Sequence, residues 1–376
     1  MKSNFAFLNK LFPILANLGQ LAEGYLYSDR NACLIKLGLI SENVINLMMK
    51  SDGLVAPTLD NHTYRMNQLR KEGLLPEIVN DMLAALRKGR NNAIRNGHDS
   101  SVDCIILLEM ACKLCDWFMQ SYGDCHYEPK PFVLPEDYSW QADKQAQLLA
   151  LESETKTLVE QVRKQPTFKT VTTAKRSNNG ARAAERLKLS EKETRYLIDE
   201  KLRNAGWEAD SISLCYTSGV RPEKGRNLAI ARWPIDLSFA KNSFADYVLC
   251  IGEQIVGIIE DRQRGKNFPS VVDYGTVRQI KETGISVTSW DYACRVPFYS
   301  VTNGCSYLKP LETNHCIWLL GVGESVNIIQ DQQGWFTPSA IMKLLHQEKC
   351  VSNRVIQNLP ARKSHAVGNF SKQTQH

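Results

Sequence analysis

No 18 consecutive residues of this chain are apolar, so nothing in it reads as a membrane-spanning helix. No GxxxxGK[ST] occurs, which excludes the phosphate-cradling loop of an ATP-driven motor and leaves no ATP site to expect. The 11 cysteines are odd in number and show no framework spacing. The N-terminal "MKSNFAFLNKLFPILANLG" is interrupted by Asn4, Asn9 and Lys10 and lacks a small-residue cleavage site. The expectation is a cytoplasmic protein with reduced thiols. One CxxC, Cys112-Lys-Leu-Cys115 with Cys125-His126 beyond it, has no second pair to complete a zinc site; small core residues are the simpler reading. Large charge of one sign is also lacking: a net +6 says little about partners.

What is present is enough for two cores. The chain has 376 residues, 43% of them hydrophobic, a composition that supports folded domains rather than wholesale disorder. Residues 1–125 predict an all-α domain. "NACLIKLGLISENVINLMMKSDG" spaces apolar residues helically and stops at a glycine. Pro76 opens "LPEIVNDMLAALRKGRNNAIRNG", which ends at Gly97, and a third helix runs from about Ser101 to Tyr122.

Residues 126–186 predict a linking arm. "YEPKPFVLPEDY", with three prolines, reads as extended connector. A polar helix follows whose thin seam of Leu148, Leu151, Thr155, Leu158 and Val162 suggests a helical hairpin or short coiled coil. Between Arg163 and Lys188 stand eight Lys/Arg (163, 164, 169, 175, 176, 182, 186, 188) against one acid, Glu185. That stretch is either a solvated, flexible linker or a phosphate-contacting arm. Ser177-Asn178-Asn179-Gly180 is its expected loose point.

Residues 187–348 predict a mixed α/β domain, with a disordered tail over 349–376. Ser190 followed by Glu193 forms a capping box, and short strands then recur: "ISLCYT", "NLAIAR", "FADYVLCI", "QIVGIIE" and "VPFYSVTNG". Asp246 opens one apolar run and Glu260-Asp261-Arg262 closes the next. Two carboxylates on adjacent strands suit a Mg²⁺ ion, which takes one or two of them together with substrate phosphate. A two-residue turn at Gly252-Glu253 would pair Asp246 with Ile259, so bringing Asp246 to Glu260 requires a longer turn or a bulge. Residues 260 and 262 share a face by the period of two. At 262, arginine stands where lysine would orient and activate water, and that exchange is not conservative. An ordinary hairpin would carry the same acids.

From Leu189 to Trp335 the sequence resembles the N-terminal nuclease region of type I restriction endonuclease R subunits. The matching runs include "LSEKETRYLIDEKLRNAGW", "RPEKGRNLAIARWP", "FADYVL", "GIIEDRQRGK" and "GWFTPSAIMKLL". The first 125 residues resemble the helical, HEPN-like domain that precedes it, through "NFAFLNKLFPILANLGQLAEGYLYSDRNACLIKLG" and "NQLRKEGLLPEIVNDMLAALRKGRNNAI". The implied architecture is α + α/β: an N-terminal all-α domain, a helical linking arm, then a PD-(D/E)xK restriction-endonuclease-like mixed-sheet domain. The resemblance implies Glu193 as helix acid, Asp246 and Glu260 as metal-binding acids, and Arg262 in the place of the catalytic lysine. It also implies Mg²⁺ if the site is active, and DNA contacts from Arg221, Lys224, Arg226, Arg264 and Lys266.

Two departures from the family pattern touch catalysis: Arg262, and Tyr274 and Arg278 where a glutamine and a tyrosine are usual, with Gln279 nearby. In the helical domain Arg90-Asn91 is followed by Arg95 where a ribonuclease site would need histidine, with His98 beyond Gly97. The expectation is a truncated or standalone R-subunit-like protein that contacts DNA with weak or lost Mg²⁺-dependent cutting. A working endonuclease, in which Arg262 or Lys266 serves for the lysine, is one alternative. A non-catalytic module docking on a methyltransferase/specificity complex is the other.

Overall fold

A computed structural model describes residues 3–55, 61–137, 142–164, 171–237, 240–261, 298–302, 316–322, 325–329, 335–343 and 346. The first half is helical: α1 (Pro13–Tyr25), α2 (Arg30–Ser51), α3 (His62–Lys71), α4 (Glu77–Asn96) and α5 (Ser101–Tyr122). Their ends are set by local chemistry. Asp29, Asn61 and Ser100 each accept a first-turn backbone N–H at the starts of α2, α3 and α5. Gly97, at φ 64°, closes α4 in the left-handed region that disfavours other residues. Leu34, Leu37, Val44, Leu83, Leu107, Trp117 and Phe118 are fully buried in one core. By length and composition α2 could cross a membrane, yet 61% of its apolar window lies inside this bundle.

The arm does not project. In α6 (Ala142–Lys164) Thr155 is buried, Leu158 and Val159 pack on the helical core, and Lys36 pairs with Glu152 at 2.5 Å. The basic stretch is not a flexible linker either. Residues Thr173–Arg186 form α7, whose buried Arg176, Gly180, Ala183 and Ala184 recur at helical spacing. The expected loose point is a docking point: Trp117 Nε1 donates to the Gly180 carbonyl (2.9 Å) and Ser177 Oγ to that of Gly73 (2.6 Å). Arg176 reaches Asp52 at 3.3 Å and covers the Tyr122 ring at 4.4 Å. A buried indole N–H needs an acceptor, and the bare Gly180 backbone supplies one.

Helix α8 (Glu191–Asn204) joins the two halves. Its Tyr196 and Leu197 belong to the helical core, while Ile198 and Leu202 pack with Tyr247, Leu249, Ala229 and Ala231 beneath a sheet. Further charged pairs cross the same junction: Lys88 with Glu200, and Lys201 with Asp81 at 2.8 Å. The sheet runs in sequence order: β1 (Glu208–Ala209), β2 (Asn227–Leu237), β3 (Ala240–Ile251), β4 (Gln254–Asp261), β5 (Phe298–Thr302), β6 (Cys316–Val322) and β7 (Ser325–Ile329). Pairs β1–β2 and β4–β5 are parallel and the others antiparallel. Leu228, Ile230, Val248, Cys250 and Ile258 are buried as well, and their alternation with the α8-facing residues covers the sheet on both sides.

"ISLCYT" is not a strand. Asp210 accepts from the N–H groups of Ile212 and Ser213 (2.9 and 3.1 Å), and Tyr216–Ser218 coil into a short 3-10 turn. A side chain that captures its own downstream N–H groups removes them from a ladder. Only a single bridge, Cys215 to Ala231, remains. The tail expected over 349–376 lies outside the described residues.

Candidate functional site

The hairpin β3–β4 turns at Gly252-Glu253, with Gly252 at φ 58°. Ile251 pairs with Gln254 and Cys250 with Ile255, but Leu249 pairs with Gly257, so Val256 bulges. Beyond the bulge Val248 meets Ile258 and Tyr247 meets Ile259. Continued by one residue, that register sets position 246 across from position 260. The bulge thus supplies the one-residue shift without which Asp246 would lie opposite Ile259, and opposite positions of an antiparallel pair share a face of the sheet. On the other flank Arg232 falls between the pairs Ala231–Tyr247 and Trp233–Ala245, which puts it across from Asp246. It has φ 53°, the one positive value among the described non-glycine residues. That conformation is uncommon for a long side chain and marks a local break in the strand.

Asp246 does not face Glu193. Arg195 Nη2 lies 3.1 Å from Asp246 Oδ1, while its Nε lies 3.1 Å from Glu191 Oε1. Arg232 approaches the same Glu191 oxygen at 3.9 Å. The result is an alternating chain of charge, Arg232–Glu191–Arg195–Asp246, in which each ion has an opposite neighbour. Sequence reading missed Arg195, although Glu191 and Arg195 are an i, i+4 pair on one face of α8.

Glu193 lies two residues earlier, about 200° around the helix axis, and is fully buried. It completes the expected capping box: Ser190 N–H donates to Oε2 at 2.6 Å, and Glu193 N–H donates to Ser190 Oγ at 3.4 Å. Lys113 of α5 also bonds Oε2 and holds Glu109 at 2.8 Å. Burial pushes the Glu193 carboxyl up, against the opposing pull of Lys113 and Ser190. Burial also acts against the Lys113 charge, but its hydrogen bonds to Glu109 and Glu193 outweigh it and hold the ammonium above the usual lysine range. Lys113 serves two acids and keeps 19% exposure, while the Glu193 side chain keeps 1%. In this arrangement Glu193 ties α8 to the helical bundle.

The backbone of Glu260 is placed by the sheet, paired with Val301 of β5. Arg262, Arg264, Lys266, Tyr274, Arg278 and Gln279 lie outside the described residues. Arg221 and Lys224 are exposed in the loop before β2. Arg221 lies 3.5 Å over the Tyr216 ring and donates to the carbonyls of Tyr216 (3.0 Å) and Val220 (2.7 Å). Arg226 is held by Glu208 and Glu223, each at 2.6 Å, and these hydrogen bonds raise its pKa further. It is therefore the least available of the three to a phosphate. Lys175, Arg182, Arg186 and Lys188, on α7 and just past it, are exposed.

Among the described residues no group of three or more His, Cys, Asp or Glu gathers as a metal site. Cys112 and Cys115 are buried in α5, and burial pushes both thiols up. In the helical half Arg90 is paired with Glu42 at 2.7 Å and His98 with Asp103 at 2.7 Å, so these two side chains engage separate acids.

Residues 208–345 match the family described as "Type I restriction enzyme EcoKI endonuclease subunit second domain". The chain is similar to the type I restriction enzyme EcoKI endonuclease subunit of Escherichia coli (strain K12), at 26% identity over 439 aligned positions that cover 96% of this chain. It spans 37% of that protein's length. No solved structure matches it. The family match begins at β1 and takes in the β3–β4 hairpin.

Proposed function

We propose that the chain is a DNA-contacting, R-subunit-like protein whose sheet carries the frame of a PD-(D/E)xK nuclease with weak or lost cutting. The Val256 bulge supports the reading: the register beyond it, continued by one residue, brings position 246 across from position 260, and bulges are over-represented beside active sites. Two carboxylate positions on adjacent strands are hard-oxygen donors of the kind Mg²⁺ takes, so Asp246 and Glu260 would hold the ion. When bound, it would supply a Lewis acid to the scissile phosphate.

This chain's own residues work against turnover. Arg195 occupies a carboxylate oxygen of Asp246 and competes with any cation there. Arg262 can stabilise developing charge, but it cannot take a proton from water. The exposed Lys175, Arg182, Arg186 and Lys188, with Arg221 and Lys224, supply cations for phosphate contacts. Docking on a methyltransferase/specificity complex is compatible with this assignment and needs no cutting.

The test is fluorescence anisotropy on a duplex of about 30 base pairs across a salt series, paired with plasmid nicking. The expected result is salt-sensitive duplex binding with no nicking by the unmodified protein in Mg²⁺. Binding indifferent to salt would overturn the DNA-contacting role, and Mg²⁺-dependent nicking would overturn the loss of cutting.

A further inference from the structure

Glu191 sits where two arginines from different elements meet. Arg195 of α8 brings Nε to 3.1 Å from Glu191 Oε1, and Arg232 of β2 brings Nη2 to 3.9 Å from the same oxygen. The adjoining nitrogen of Arg195, Nη2, donates to Asp246 Oδ1 at 3.1 Å. Nε and Nη2 form the side-on edge of a guanidinium, which suits two oxygens of one carboxylate or phosphate. Here that edge is divided between two acids. The Glu191 half is the weaker, because Arg195 Nε makes no hydrogen bond and the nearby oxygen is close without being aligned.

Arg232 is held no better. Its side chain is 57% exposed, and among the described residues its acid contact is Glu191 at 3.9 Å, beyond hydrogen-bond reach. Its backbone is costly, since φ 53° is a conformation that glycine takes freely and arginine does not. Fully buried neighbours on both sides, Ala231 and Trp233, hold it there. The chain thus keeps a strained, loosely paired arginine across from Asp246, and strain of this kind collects at functional sites.

We propose that Glu191 is an internal stand-in for a DNA phosphate, closing a seat that Arg195 and Arg232 form beside Asp246, a role that rests on the DNA-contacting reading above. Both arginines converge on one anionic oxygen, as they would on a phosphate oxygen. Glu191 is itself 57% exposed, so it can turn outward without disturbing the core. With Glu191 in place the two arginines are balanced by two acids; with Glu191 turned out, one positive charge is in excess and attracts the phosphate. A phosphate that takes both prongs of the Arg195 edge releases Asp246. As a first-turn acid Glu191 also favours the start of α8, but that role needs neither arginine.

The test is duplex binding by fluorescence anisotropy without divalent metal, paired with calorimetric titration of inorganic phosphate. Glu191→Gln should tighten both ligands about fivefold and Arg232→Gln should weaken both about fivefold, the effect of one charge near the seat. Adding Glu191→Gln to Arg232→Gln should recover little, because one side of the seat is missing. Glu253→Gln, an equal change of charge at the exposed turn of the β3–β4 hairpin, should alter neither ligand. Arg232→Gly deletes the same side chain and takes the positive φ freely. It should bind as weakly as Arg232→Gln and melt no lower than the unmodified chain; a lower melting point would make Arg232 a structural residue and overturn the proposal. Duplex binding that is the same in every variant overturns the seat and leaves the DNA-contacting role standing. A duplex that no variant binds ends that role instead, and the order of the variants toward inorganic phosphate still decides the seat. Phosphate affinity that Glu191→Gln fails to raise, or that Arg232→Gln fails to lower, would overturn it.

Discussion

Replacing Lys113 with alanine removes the cation that joins α5 to α8. The ammonium bonds both Glu109 and Glu193, and its loss leaves the Glu193 carboxylate buried with Ser190 N–H as its remaining donor and Oε1 unpartnered. Removing one member of a buried pair costs about 3–5 kcal/mol. Linkage sets a second bound. A carboxyl driven neutral in the fold costs about 1.4 kcal/mol for each pH unit above its unfolded pKa of about 4.3, which caps the ionisation term near 3–4 kcal/mol at pH 7. The two figures agree, so about 3 kcal/mol is expected at pH 7. The sign follows from the raised folded pKa: protonation is favoured in the fold, so the penalty shrinks as pH falls towards 4.3. Glu193→Gln keeps the cap acceptor and should recover most of the loss in the double variant. Urea unfolding at pH 7 and pH 5 measures all three proteins. A Lys113→Ala loss under about 0.5 kcal/mol, or one that does not shrink at pH 5, would refute the structural role given to Glu193.

Further expectations concern titration, docking and metal affinity. Burial lifts Asp116 to about 6, partly offset by the Tyr127 hydrogen bond and Lys113, so its penalty of about 3 kcal/mol at pH 7 is relieved as pH falls from 6 to 4. Burial lowers His62 to about 4, with Arg87 adding to the effect, so a similar contribution present above pH 6.5 is lost over nearly the same interval. The two cancel in the parent; Asp116→Asn should show a steeper acid loss and His62→Asn a shallower one, both read by thermal melting. Arg176→Ala leaves Asp52 buried without this cation and should cost about 3 kcal/mol in urea unfolding. Arg195→Ala should raise Mn²⁺ affinity several-fold by calorimetry, since the cation at 3.1 Å from Asp246 is gone; unchanged affinity would remove Asp246 from the metal site. Substituting Arg182 and Arg186 together should lower the log–log salt slope of duplex binding by about 2, close to one per phosphate contact.

Much of the fold was legible because it is written locally. The helix over Ser101–Tyr122 and the Ser190–Glu193 box follow from apolar spacing and cap chemistry, and both stand in the structure. The bulge was legible as a requirement, since residue parity alone shows that Asp246 and Glu260 need a one-residue shift. Its position at Val256 depends on cross-strand packing that no local pattern encodes. The placement of α7 was not legible: eight cations obscured a stripe of Arg176, Gly180, Ala183 and Ala184 whose partner, Trp117, lies some 60 residues upstream. Arg195 was hidden for the same reason, because its role rests on a tertiary contact with Asp246. Glu193 was assigned by resemblance, while the identity of its neighbour, Lys113 on another helix, decides what it does.

The most direct test is nicking of supercoiled plasmid in Mg²⁺ and in Mn²⁺ by the unmodified chain, Arg262→Lys, and Arg262→Lys with Glu260→Ala. The account predicts silence from the first, cutting by the second and loss of that cutting in the third. Nicking by the unmodified chain, abolished by Glu260→Ala alone, would contradict it and show that arginine at 262 suffices.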